Sequence, residues 1–111
     1  DSYNVEMEEI HHIHKLDKPS GTAISLANQV LDKIDRKTNW SITDKNPETL
    51  FISDVREGEV PGTHIMKYTS AVDDIEIMHK AHNRKGFALG AVIAAEYING
   101  KKGIFTMNDL I

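Results

Sequence analysis

The apolar period of the chain changes sharply near residue 20, and that change most restricts what the chain can become. Over residues 3–12, Tyr3, Val5 and Met7 share one parity and Asn4, Glu6 and Glu8 the other, the alternation of a half-buried strand. Over residues 22–35, Ala23, Leu26, Ala27, Val30, Leu31 and Ile34 recur at helical spacing and form one apolar stripe. Between the two, "DKPSG" is turn chemistry, and Ser20 or Thr22 can cap the helix. A strand, a turn and a helix with one face to bury therefore open the chain.

The remainder follows the same signals. Residues 36–49 are polar and read as irregular, with Trp40 as a loop anchor and Asn46-Pro47 as a stop. "LFISDVRE" (50–57), "THIMKYTS" (63–70) and "DIEIMHKA" (74–81) read as strands, the first two separated by the turn "GEVPG". "KGFALGAVIAAEYING" (85–100) reads as a second helix with Gly100 at C′. Gly86 and Gly90 read as close-packing positions, and Lys101-Lys102 as a complement to the helix dipole. The order β-α-β-β-β-α predicts an α+β fold: a mixed or antiparallel four-stranded sheet with two main helices on one face. The other face is then solvated or paired with another subunit, and Ile65, Tyr68, Ile75 and Ile77 make pairing plausible.

The 111 residues suit one domain spanning 1–111, and are few for an enzyme that also binds a large cofactor. A net charge of −4 disfavours nucleic acid as a partner. The absence of cysteine removes disulfides and thiolate zinc sites and suits a reducing cytoplasm. No apolar run approaches the ~20 residues of a bilayer span, so no membrane partner is expected. The sequence opens on Asp1 without methionine, which suggests a fragment or a processed product.

"EIHHIHKLDKPSGTA" (9–23) concentrates the chemistry. Three readings compete. On a strand, His12 and His14 would share a face as two metal ligands would, and His79 and His82 add H-x-x-H, but no carboxylate stands at a standard ligand spacing. The histidines can also be structural or surface groups, the reading preferred for His79 and His82. The third reading is an anion site with acid catalysis. "PSGTA" exposes backbone N–H groups at the positive end of a helix, Gly21 permits close approach, and the Ser20 and Thr22 hydroxyls add donors. Lys15 and a histidine would add charge and a transferable proton. His11 and Lys15 would lie about 13 Å apart in a continuing strand. To serve one small ligand the strand must end near His12 or Ile13, and residues 14–19 must fold back, for which Asp17-Lys18-Pro19 is suited.

The whole string resembles the signature of the 4-hydroxy-tetrahydrodipicolinate (dihydrodipicolinate) reductase family. "VEMEEIHHIHKLDKPSGTAISLANQV", "DVREGEVPGTHIMKY" and "DIEIMHKAHNRKGFALGAVIAAEYINGKKGIFTMNDLI" each have a counterpart there, in order, so the resemblance covers nearly the whole chain. Lys18 departs from the small residue common at its position. The resemblance implies a C-terminal substrate-binding and oligomerisation domain, without the N-terminal Rossmann domain that carries the Gly-rich fingerprint. It implies His11 as proton donor and acceptor, Lys15 as a second proton donor, and His12 as a substrate contact. Gly21 and Thr22 would hold a substrate carboxylate, with Ser20 beside them, and Arg84 would lie near the cofactor or the domain junction. It further implies NADPH or NADH held mainly by the absent domain, a cyclic dicarboxylate substrate in the diaminopimelate route to lysine, a homotetramer formed through the sheet, and little activity in this chain alone. A non-enzymatic anion-binding or oligomerisation module of the same fold is the alternative.

Overall fold

The computed structural model describes residues 3–111. The expectation attached to Asp1 lies outside them. Eight elements follow in order: β1 (Asn4–His11), α1 (Gly21–Lys33), β2 (Asn39–Ser41), β3 (Thr49–Arg56), β4 (Thr63–Thr69), β5 (Asp74–Lys80), α2 (Lys85–Ile98) and a 3₁₀ turn at Met107–Asp109. They form two compact units, one ending at Lys80 and the other spanning Ala81–Ile111.

The first unit is a mixed five-stranded sheet in the order β2-β3-β1-β4-β5, with α1 packed on it. β1 runs parallel to β3, and β3 to β2, whereas β4 is antiparallel to both β1 and β5. The α+β class and the mixed sheet agree with the sequence reading, but the strand count is five, not four. The additional strand, β2, lies in the stretch expected to be irregular. It is three residues long with one large apolar side chain, too short for a period-2 signal, and it forms because β3 offers a free edge. Trp40 is thus a strand residue packed against the core. Of the two expected helices, α1 alone belongs to the compact unit of the sheet.

The core follows from strand parity. Val5, Met7, Leu50 and Ile52 point to the α1 face and are buried with Ala23 and Ala27. Two alanines on the helix let it approach closely, and Leu26, Val30, Leu31 and Ile34 fill the flanks. α1 starts at Ser20, whose hydroxyl accepts from the Ala23 N–H (3.2 Å). Lys37 supports the β2–β3 connection: its buried ammonium donates to Asn4 Oδ1, Pro47 O and Thr49 O.

In the second unit α2 ends at Asn99 and Gly100 takes φ +76°, the left-handed C′ conformation expected of it. Lys101 Nζ donates to Tyr97 O (2.6 Å), neutralising the helix C-terminus. No helix among the described residues is long and apolar enough to cross a membrane.

Candidate active site

The residues of β1 that face α1 are Val5, Met7, Glu9 and His11, and all four are buried. The first two build the core, and the last two convert the same face into an ionisable cluster. The sheet register brings Asp54 and Arg56 beside Glu9 and His11 from β3, and His64 beside Glu9 from β4.

Glu9 is the hub. Its Oε1 accepts from the Ser20 backbone N–H (2.9 Å) and its Oε2 from Ser20 Oγ (2.5 Å). The Arg56 guanidinium lies 3.5 Å from Oε1, and His11 Nδ1 and His64 Nε2 each lie 3.6 Å from Oε2. Burial raises the pKa of Glu9, but the nearby His64 ring and the hydrogen bonds from the Ser20 side chain and backbone, with the field of His11, outweigh it and lower the pKa to about 2.

Hydrogen counting fixes the His64 tautomer. Ser20 Oγ has one proton, given to Glu9, and one of its lone pairs takes the Ala23 N–H. At 3.3 Å from that oxygen, His64 Nε2 must therefore be the donor. The ring of His11 meets that of His64 edge-on, with centroids 5.3 Å apart. Burial lowers the pKa of His11. The Glu9 carboxylate opposes that shift, and the charges of His64, Lys15 and Arg56 reinforce it.

β1 ends at His11, and the chain turns back through a bond from Lys15 N–H to His12 O (3.2 Å), as the reach argument requires. Arg56 secures the returning loop. Its Nε donates to Lys15 O (3.3 Å), its terminal nitrogens to Asp17 O (2.6 Å) and to the Asp54 carboxylate. Lys15 pairs with Asp17 at 3.2 Å, and that bond lowers the Asp17 pKa. Gly21 and Thr22 open α1 and are exposed; a Cβ placed on Gly21 would meet nothing within 4 Å. The ring of His12 packs near that of His14, with centroids 6.1 Å apart, and His14 lies 3.7 Å from Glu59 on the surface. His79 is exposed on β5, and Arg84 is the N-cap residue of α2 in the second unit.

Sequence reasoning placed His11, Lys15 and Ser20 in one neighbourhood and passed over Glu9, Asp54, Arg56 and His64. One signal was present: Glu9 continues the inward parity of Val5 and Met7, where an unpaired carboxylate is not tolerated. The donor atoms of Glu9, His11 and His64 lie within 4.8 Å of one another, as around a cation. Here both Glu9 oxygens are already engaged by Ser20, and the Arg56 guanidinium faces the same carboxylate, so the cluster is read as a hydrogen-bonded one.

Fold and cluster together define an α+β domain with acid–base side chains gathered at a helix N-terminus. The family model described as "Dihydrodipicolinate reductase, C-terminus" matches residues 1–111, and the chain belongs to that family. It is 50% identical over its whole length to the 4-hydroxy-tetrahydrodipicolinate reductase of Christiangramia forsetii, covering 46% of that protein. It is 36% identical to the enzyme of the same name from Alkalilimnicola ehrlichii, covering 45% of it. The chain thus spans about half the length of these relatives. The fold also matches the dipicolinate-bound dihydrodipicolinate reductase of Paenisporosarcina sp. TG-14, with a TM-score of 0.70 over 97% of this chain and 44% of the other, at 20% identity.

Proposed function

We propose that this chain is the substrate-binding and proton-donating half of a reductase. That enzyme transfers hydride from NADPH or NADH to the cyclic dicarboxylate imine derived from 4-hydroxy-tetrahydrodipicolinate, in lysine and diaminopimelate biosynthesis. The observation that carries the reading is the shared carboxylate: Glu9 touches the cap of α1 and faces His11, so an anion-binding helix start and a proton carrier sit on one hub.

The division of labour follows from the residue types. The Ser20 hydroxyl and N–H are taken by Glu9. The Gly21 and Thr22 amides and the Thr22 hydroxyl are the donors for a substrate carboxylate at the positive end of α1. Lys15 adds a cation and a second proton source, and His12 lies at the end of β1 to contact the ring. Hydride addition builds negative charge on the ring, and a positioned acid at His11 stabilises the transition state more than the ground state. A bound nicotinamide supplies the hydride. The β1–α1 turn, "PSGT", has one glycine and is backed by a carboxylate, unlike a dinucleotide loop, so the nucleotide is assigned mainly to another domain of the enzyme, with Arg84 as this chain's contribution. The enzyme is proposed to be cytoplasmic and to assemble as a homotetramer through the sheet of this domain.

Calorimetric titration with pyridine-2,6-dicarboxylate, a flat analogue of the substrate, tests the reading, with zinc titrated separately. Saturable dicarboxylate binding, weakened by Lys15→Ala by about 1.5–3 kcal/mol, is expected for a charge-assisted contact. Zinc binding without dicarboxylate binding would overturn the proposal.

A further inference from the structure

His11 Nδ1 is buried with no hydrogen-bond partner, and Glu9 Oε2 lies 3.6 Å from it. That oxygen is an acceptor: Ser20 Oγ already donates to it and the Ser20 N–H donates to the other oxygen. A bare Nδ1 would point its lone pair at a carboxylate, whereas a protonated one points a donor at it. On the other side of the ring stands Gly62. A Cβ there would lie 2.9 Å from His11 Nε2, and Gly62 has φ +154°, a conformation that disfavours any other residue. The structure thus buries one ring nitrogen toward an anion, and at position 62 it admits no side chain against the other.

We propose that Glu9 is the positioning residue of the proton donor: it holds a proton on His11 Nδ1, so that Nε2 is the atom that gives up and regains the transferable proton. This deepens the functional reading above and rests on it. In the donating step the Nε2–H bond breaks, its proton goes to the reduced substrate, and the electron pair stays on Nε2. Nδ1–H remains toward Glu9, and the imidazolium present before the step is stabilised by the same carboxylate. Glu9 also holds the backbone N–H and hydroxyl of Ser20, so one carboxylate sets both the orientation of the donor and the start of the substrate-carboxylate turn. The other charged groups facing His11 are His64 on β4, Arg56 on β3 and Lys15 on the returning loop. All three can be cationic and oppose protonation, which leaves Glu9 as the group that favours it.

The test is the ring nitrogen spectrum of His11 in the 15N-labelled 111-residue chain, followed against pH, for wild type and Glu9→Gln. In neutral wild-type His11 the expected pattern is Nδ1 protonated and Nε2 bare. In Glu9→Gln the titration midpoint moves to lower pH and the tautomer shifts toward Nε2–H, while exposed His14 is unchanged. A wild-type His11 in the Nε2–H form overturns the proposal without any variant, even if Glu9→Gln fails to fold. A folded Glu9→Gln with an unchanged His11 overturns it too. Pyridine-2,6-dicarboxylate added to the same wild-type sample separates the two ideas. The Nδ1–H pattern without any dicarboxylate-induced shift supports the role of Glu9 and counts against the functional reading instead.

Discussion

Glu9 and His11 make the stability of the fold depend on pH. The pKa of Glu9 is lowered from 4.5 to about 2, so its contribution to stability is complete above pH 4.5 and is lost as pH falls toward 2. That contribution is on the order of 3 kcal/mol. His11 acts in the same direction. Burial lowers its pKa below 6.5, so the unfolded chain takes up the proton first and stability begins to fall as pH drops below that value. Urea midpoints at pH 7, 5 and 3 should therefore decline steeply in wild type. They should decline less from a lower starting point in Glu9→Gln, and equal declines would contradict the assignment. Gly62→Ala should lose about 1–3 kcal/mol from the clash with the His11 ring and the strained φ, again read from urea unfolding. In a full-length reductase carrying these residues, His11→Ala should lower turnover more than it raises the Michaelis constant, and His12→Ala should do the reverse. At this scale the sequence was legible where the chemistry is contiguous, in residues 11–22. Arg56 and His64 were not legible, because nothing within their own strands ties them to residues 9–22 until the register sets Arg56 beside His11 and His64 beside Glu9.

The elements show the same division. β1, β3, β4, β5, α1 and α2 could be read to within two or three residues at their ends, because each has a period and a punctuating turn. β2 could not, since three residues carry no period and its pairing is decided by β3 rather than by its own sequence. The α1 cap is where element and site meet. Ser20 accepts from the Ala23 N–H and donates to a buried carboxylate. Loss of a cap alone costs about 0.5–2 kcal/mol. Ser20→Ala also leaves a Glu9 oxygen without that donor, a further ~1–3 kcal/mol. The expected total, about 2–4 kcal/mol in chemical denaturation, exceeds that of an ordinary cap. A loss under about 1 kcal/mol would mean that Glu9 is satisfied some other way.

At the scale of the whole molecule, the sheet of the first unit has a second face, opposite α1, that carries apolar side chains. Ile10, Val60, Ile65 and Met78 line a cavity of about 350 Å³ on it. Tyr68, Ile75 and Ile77, which the sequence also offered for pairing, lie instead on the α1 side, as the register with Val5 and Met66 shows. β5 is exposed along its whole length. A copy of this chain laid against the face away from α1 is the proposed cover, and closed two-fold pairing is the commonest solution. Sedimentation equilibrium of the chain at micromolar concentration should show dimer or tetramer, and a clean monomer would place the assembly contacts elsewhere. Whether the start of α1 and the end of β1 form one dicarboxylate site can be read from backbone amide shifts during titration with pyridine-2,6-dicarboxylate. Saturating shifts centred on His11, His12, Lys15 and Ser20–Thr22 are expected, and shifts confined to other parts of the chain, or none, would rule such a site out.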